Sequence, residues 1–248
     1  MKVAILLTGQ MRRYTDPEVQ HSLQKYLGLF DSADIFISTW SDRGVSHNHG
    51  DVKWRGDEKD GITEAELRRI YPQARRIAIH DLAAWERSLE GCWKTVYTEG
   101  FEWNGAHIRG TAVPQLFGLW DANCLRCEYE TATGARYDLV IRCRPDVVFA
   151  PQSRSLYESA IPNTVYAINC KTTGAYYPQR IYDIFFFGDP KVMNQLCEAY
   201  KNLDTLVAHP WNNGLHPRDA CRCLYVQARF LDGAGVVDLP VELCKVVR

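Results

Sequence analysis

Two apolar runs separated by one helical segment, all within the first forty residues, restrict this chain to an open α/β sheet. Residues 3–7 (VAILL) are continuously apolar and end in Thr8-Gly9-Gln10. A run without alternation marks a strand covered on both faces. Residues 17–30 then place Val19, Leu23, Tyr26, Leu27 and Phe30 at helical spacing. Residues 34–39 (DIFIST) form a second apolar run that opens into Trp40-Ser41-Asp42. Strand, helix and strand in that order predict a parallel pair joined by a helical crossover.

The alternation continues. Residues 43–60 are polar and lack a period, which predicts a long loop. Thr63 opens a capping box with Glu66, and the helix it starts ends near Tyr71-Pro72. Residues 76–80 read as a third strand, and residues 91–110, rich in Trp, Tyr and Gly, as a loop over a cleft. Val113, Leu116, Phe117, Trp120, Cys124 and Cys127 predict an amphipathic helix over 112–132, closed by Gly134. Strands are expected at 137–149, 165–169, 181–187 and 236–247, with helices at 191–203, behind Asp189-Pro190, and near 217–230. The pattern predicts a Rossmann-like α/β fold with a mostly parallel sheet flanked by helices. One domain over residues 1–248 is expected, with 204–248 as an extension.

Composition removes several function classes. The formal net charge of −1 carries no nucleic-acid footprint. No stretch approaches the ~18 apolar residues of a membrane span, and the run at 3–7 is too short for a signal-peptide core. A cytoplasmic location, or a domain cut from something larger, is the expectation. Nine scattered cysteines read as reduced thiols packed as small hydrophobes. Cys124 and Cys127 have zinc-like spacing but share a helix's apolar face with no second ligand pair, so packing is the better reading. Neither a P-loop nor a Gly-x-Ser-x-Gly elbow is present, which leaves ATPase and hydrolase readings without support.

Residues 137–149 (YDLVIRCRPDVVF) carry the strongest chemical signal. In a strand, Leu139, Ile141 and Cys143 share one face, and Arg142, Arg144 and Asp146 the other. Two guanidiniums and a carboxylate in an apolar strand are costly to bury without partners. A nucleotide diphosphate, with or without a divalent cation, would satisfy both signs. An internal Arg-Asp-Arg ion-pair network would do so too. Pro145 ends the ladder where the strand leaves the sheet. Open α/β sheets bind ligands beyond the carboxyl ends of their strands. Thr8-Gly9-Gln10, Trp40-Ser41-Asp42 and Arg144-Pro145-Asp146 all project to that edge. Gly9 would permit close backbone approach. Arg12 and Arg13 would add positive charge, or simply solvate a helix start. Asp183, before the apolar run IFFFG, is a candidate general base or a strand-end residue bonded to loop amides.

Five blocks in order carry a resemblance: Thr8-Gly9-Gln10-Met11-Arg12; Asp34 through Trp40; Ala122-Asn123-Cys124-Leu125; Tyr137 through Asp146; and Asp183 through Gly188. The chain resembles a family of GT-A-type glycosyltransferases from capsule and lipopolysaccharide gene clusters and from large viruses. The resemblance implies one nucleotide-binding α/β domain, a nucleotide-sugar donor (UDP-sugar favoured) and a glycan acceptor, in the host cytoplasm if the source is viral. It implies a donor pocket of Thr8, Gly9, Gln10, Arg12, Trp40 and Gln115, with Arg142 and Arg144 on phosphate. It also implies Mn²⁺ or Mg²⁺ at Asp146, with His209 or His216 as a late ligand. The Asp-x-Asp cation clamp common in such enzymes does not occur in the chain. Two other readings stand beside it: a non-catalytic nucleotide- or glycan-binding module of a larger synthase, and a nucleotidyltransferase that lacks its usual glycine-rich first loop.

Overall fold

Residues 3–7 sit in the middle of the sheet, as their lack of polar alternation requires. The structure, a computed structural model, describes residues 1–42, 61–99, 112–168, 180–210 and 220–247, and the backbone of short strands at 46–47, 53–54, 101–103 and 106–108. Strand β1 (Lys2–Thr8), helix α1 (Pro17–Leu27) and strand β2 (Ser32–Trp40) form the expected unit. β1 and β2 pair in parallel from Lys2 opposite Ser32 to Thr8 opposite Ser38. Asp16 caps α1 by accepting from the Glu18 N–H at 2.9 Å, and Pro17 follows in the first turn. The short strands β3 (Ser46–His47) and β4 (Lys53–Trp54) pair with each other; the rest of the polar segment expected as a loop lies outside the described residues. Helix α2 (Glu64–Ile70) starts where the capping box predicts, with the Glu66 N–H 3.2 Å from Thr63 Oγ1. β5 (Ala74–His80) extends the sheet beside β2.

Helix α3 (Leu82–Ser88) follows. The stretch expected as a loop over 91–110 holds regular structure: helix α4 (Gly91–Glu99) and the hairpin β6 (Phe101–Trp103), β7 (Ala106–Ile108). α4 buries only Val96 and Tyr97, so its apolar period is too sparse to read from sequence.

Helix α5 (Ala112–Thr133) ends at Gly134, which has φ +72° and donates to the Glu130 carbonyl at 2.9 Å. Its buried stripe is Val113, Leu116, Leu119, Ala122, Asn123 and Arg126, rotated from the stripe read in the sequence. Arg126 is fully buried and bonds Asn123, Glu130 and Asn194. Phe117 and Trp120 lie on the flank, covered by Tyr200, so α5 is enclosed on two sides.

The strand expected over 137–149 is two strands. β8 (Leu139–Cys143) runs in the main sheet, and β9 (Val147–Phe149) leaves it after a turn at 144–146. Pro145 breaks the ladder there, as expected. Then come α6 (Arg154–Glu158), β10 (Thr164–Ile168), β11 (Phe185–Gly188), α7 (Pro190–Cys197), α8 (Leu203–Ala208), α9 (Ala220–Val226), β12 (Gly235–Leu239) and β13 (Cys244–Val246). The expected strand at 236–247 thus also splits in two: β12 lies in the main sheet, and β13 pairs with β9.

The main sheet has seven strands in the order β12-β10-β11-β8-β1-β2-β5. Six run in one direction; β11 is antiparallel to both its neighbours. The first half of the chain steps outward through β1, β2 and β5. α5 then returns it to β8 on the other side of β1. The order therefore reverses between β1 and β8, and ligands of open α/β sheets collect at such a switch point. The two faces of the sheet are both buried. Ala4, Leu6, Phe36, Val140 and Phe186 pack toward α5, and Val3, Ile5, Ile35, Ile141 and Phe185 pack toward α1. β12, from the segment expected as an extension, is an edge strand of this sheet. Among the described residues, no helix is long and apolar enough to cross a membrane. Eight cysteines are described, all as free thiols.

Candidate functional site

Two turns meet at the switch point. After Thr8, Gly9 takes φ +116°, a conformation that L side chains rarely adopt. Its carbonyl accepts from Thr39 Oγ1 at 2.8 Å, which ties the turn to β2. A Cβ at Gly9 would lie 3.9 Å from Pro145, an ordinary contact. The glycine is therefore required by its backbone angle rather than by space. Beyond it, Gln10 Oε1 accepts from Arg12 Nε at 3.0 Å and Nη2 at 2.6 Å, which locks two of the predicted residues together.

Arg142 sits one residue inside the carboxyl end of β8, opposite Leu6 on one side and Phe186 on the other. It is 3% exposed. Its Nε donates to Thr8 Oγ1 at 3.1 Å, and its Nη1 is buried with no partner among the described residues. The guanidinium carbon lies 5.7 Å from the centre of the Phe186 ring. Burial pushes the Arg142 pKa down; the charge of Asp183 opposes this and that of Arg144 adds to it. A desolvated cation with an unused donor is costly in a folded protein unless something completes it.

Asp183 reaches this cation through topology. It lies in the turn before β11. Because β11 is antiparallel, its start lies at the edge where β1 and β8 end. Arg142, Asp183, Gln115 and Leu119 of α5, and Ala220 and Leu224 of α9 line a narrow crevice of about 10 Å³, room for about one water molecule. The Cys221 thiol donates to Asp183 Oδ1 at 3.7 Å, and the Cys221 carbonyl accepts from the Ile181 N–H at 3.0 Å. Three of the predicted residues, Gln115, Arg142 and Asp183, thus converge, with Thr8 behind them.

Arg144 and Asp146 are turned to each other. Arg144 Nε and Nη2 donate to the two oxygens of Asp146 at 2.8 and 2.6 Å, and Asp146 is 1% exposed. Burial opposes the Arg144 charge, but Asp146 outweighs it and the Arg144 pKa rises. The strand alternation therefore holds for Arg142 but not for the next two residues, because the chain turns at Pro145. Half of the internal ion-pair network weighed above is present.

The described residues do not fit a resident divalent cation. Both oxygens of Asp146 are occupied by Arg144. His209, at the end of α8, has its ring 5.2 Å from that of Phe230. Among the described residues, no group of three His, Cys, Asp or Glu side chains could hold a metal. His216 lies outside the described residues.

Trp40 is 5% exposed, with Trp85, Phe117 and His80 rings 5.1, 5.8 and 5.9 Å away. It forms part of a wall rather than an open stacking surface. Asp34 sits at the opposite edge, where Arg75 Nε and the Tyr137 hydroxyl donate to it at 2.6 and 2.8 Å. Asn123 joins the buried Arg126 and Asn194. These two residues of the resembling blocks hold the fold together and are not part of the crevice. Sequence reasoning missed the α9 wall and the pair of His80 Nε2 and Asp121 Oδ2, 2.8 Å apart. No local pattern connects these positions.

No protein-family model matches the chain, and no curated protein is similar to it in sequence. Among solved structures, mouse xyloside xylosyltransferase 1 in its apo form aligns at 9% identity and TM-score 0.41, covering 96% of this chain and 84% of that one. A glycosyltransferase involved in glycosylating the major capsid of PBCV-1 aligns at 10% identity and TM-score 0.43, covering 97% and 82%. Galactosyltransferase LgtC, with donor and acceptor sugar analogs, aligns at 11% identity and TM-score 0.48, covering 96% and 73%. At these scores none of the three fixes the activity of this chain.

Proposed function

We propose that this chain is a glycosyltransferase that moves a sugar from a nucleotide-sugar donor, a UDP-sugar in the first instance, to a hydroxyl of a glycan acceptor in surface polysaccharide or glycoprotein glycan synthesis. The observation that carries the reading is the buried Arg142, with one guanidinium nitrogen unpartnered, facing Asp183 across a crevice at the β1/β8 switch point. The five resembling blocks point the same way, and the chain is read as one domain.

In this reading the acceptor hydroxyl attacks the anomeric carbon of the donor. A carbon–oxygen bond to the acceptor forms, and the bond to the diphosphate breaks. Asp183 takes the proton from the attacking hydroxyl. With Asp183 as base, the configuration at the anomeric carbon inverts. Arg142 donates its free N–H to a donor oxygen as negative charge develops on the leaving diphosphate. Gln115 offers an amide on the same wall. The Thr8-Gly9-Gln10 turn, braced by Arg12, would bring backbone close to the nucleotide. Arg144 is the second cation at this edge, and its pairing with Asp146 fixes where its charge sits. No step is assigned to a divalent ion.

A thermal-shift screen of nucleotide sugars and nucleoside diphosphates, each with Mn²⁺, Mg²⁺ or EDTA, tests the reading. A ligand at ~100 times its dissociation constant adds about 2.7 kcal/mol of stability. A rise in melting temperature confined to one nucleotide family, retained in EDTA, supports the arginine-held donor. A rise lost in EDTA keeps the transferase but returns a cation to it. No rise with any nucleotide, from a folded sample, removes the donor pocket.

A further inference from the structure

A second depression shares no lining residue with the Arg142 crevice. It is an open groove of about 510 Å³ bordered by Ser88, Leu89, Glu90, Gly91, Trp93 and Tyr200. That space falls within the roughly 300–1,000 Å³ of small-molecule sites. We infer that this groove binds a neutral saccharide segment, and that it is a second carbohydrate site of the protein.

Two aromatic rings form its walls, and both are held rigidly. The Trp93 indole N–H donates to the Tyr200 carbonyl at 3.0 Å. The Trp93 and Tyr200 ring centres are 6.1 Å apart at 60°. Tyr200 is backed by Trp120 at 5.6 Å and Phe117 at 5.4 Å, and its hydroxyl accepts a hydrogen bond from Trp85. Both wall residues remain partly exposed. Fixed, half-exposed aromatic rings present apolar area to a ligand without having to be ordered on binding.

The rim decides the chemistry of the occupant. Glu90 is exposed, and its carboxylate has no partner among the described residues. It accepts hydrogen bonds from hydroxyls and repels a phosphate or a diphosphate. Ser88 keeps an acceptor lone pair, because its hydroxyl donates to the Trp85 carbonyl at 2.7 Å. A sugar ring has an apolar C–H face for Trp93 and hydroxyls for Glu90 and Ser88; a nucleotide has the wrong charge. The inference deepens the transferase reading, because the groove would hold a part of the acceptor chain distant from the reacting hydroxyl.

Saturation-transfer NMR with a panel of neutral hexasaccharides (gluco-, manno-, galacto- and xylo-oligomers) tests it, on the whole chain. The expected result is saturation of ring protons of at least one oligomer, undiminished by excess nucleoside diphosphate. Affinity should fall about tenfold or more, as at a binding hot spot, in both Trp93→Ala and Glu90→Gln. Glu90→Gln changes no packing, so its unchanged melting temperature keeps the test valid should Trp93→Ala unfold. No transfer with any oligomer, or equal affinity in wild type and Glu90→Gln, overturns the inference. Nucleotide binding is read in the same samples. Oligosaccharide binding without nucleotide binding would retain the groove and refute the transferase, and the reverse would do the opposite.

Discussion

Replacing Arg142 with methionine should make the protein more stable while removing donor binding. The guanidinium is 3% exposed, and burial already pushes its pKa down, so its charge weakens the fold at neutral pH. Desolvating an ion costs several kcal/mol even after relaxation. Its hydrogen bond to Thr8 returns about 1.5–3 kcal/mol, and the contact with Phe186 about 0.5–1 kcal/mol. Methionine fills a similar volume with an unbranched apolar chain. It leaves the Thr8 hydroxyl, itself 1% exposed, without its donor, at about 1 kcal/mol. The balance favours the variant by about 1–2 kcal/mol, inside the range found when buried ions give way to apolar residues. For a chain of this length that is a rise of about 2–8 °C, read by differential scanning calorimetry. A fall of more than about 4 °C would show instead that Arg142 is a structural cation in a satisfied network, and would refute the reasoning.

Other outcomes follow from the same geometry. In a double-mutant cycle, Arg144→Gln and Asp146→Asn should couple by about 1–3 kcal/mol in urea unfolding, because each is the other's forked partner; additive effects would mean the pair is not formed. Asp232 has its pKa raised by burial, against the Gln227 amide that donates to both its oxygens. A carboxyl with a raised folded pKa loses stability as pH rises from its unfolded to its folded value. Asp232→Asn should therefore remove that fall and make the slope of stability against pH more positive on the acid side; an unchanged slope between pH 3 and 6, the usual carboxylate range, would contradict this. A Cβ at Gly188 would meet Val192 Cγ1 at 2.5 Å and the Thr164 carbonyl at 2.9 Å. Gly188→Ala should cost about 1–3 kcal/mol by overpacking, and a neutral result in thermal melts would argue against this strand register.

What the sequence revealed was local. The β1-α1-β2 unit, the Thr63 cap and the Gly134 stop each depend on residues within a few positions of one another. Arg142 stood out because a cation in an apolar run is anomalous wherever the strand goes. What it hid was direction and distance. Nothing in IFFFG tells that β11 runs against its neighbours, yet that reversal brings Asp183 to the crevice. The alternation rule placed Arg144 and Asp146 beside Arg142, but Pro145 turns the chain and the two pair with each other. Trp40, at a strand end, looked like a ligand platform; Trp85 and Phe117, far along the chain, enclose it. α5 exposed too many aromatics for a one-sided helix, and its true burial, around Arg126, depends on Asn194 of α7.

Isothermal titration of the nucleotide sugar selected by the thermal screen, into wild type and Arg142→Met in the presence of EDTA, tests the central claim most directly. Truncating one partner of a buried, charged hydrogen bond costs about 2–5 kcal/mol of binding. The account predicts saturable heat with the wild type and a loss of about 30-fold or more in affinity with Arg142→Met. Equal affinity in the two proteins would contradict the placement of the donor at this crevice.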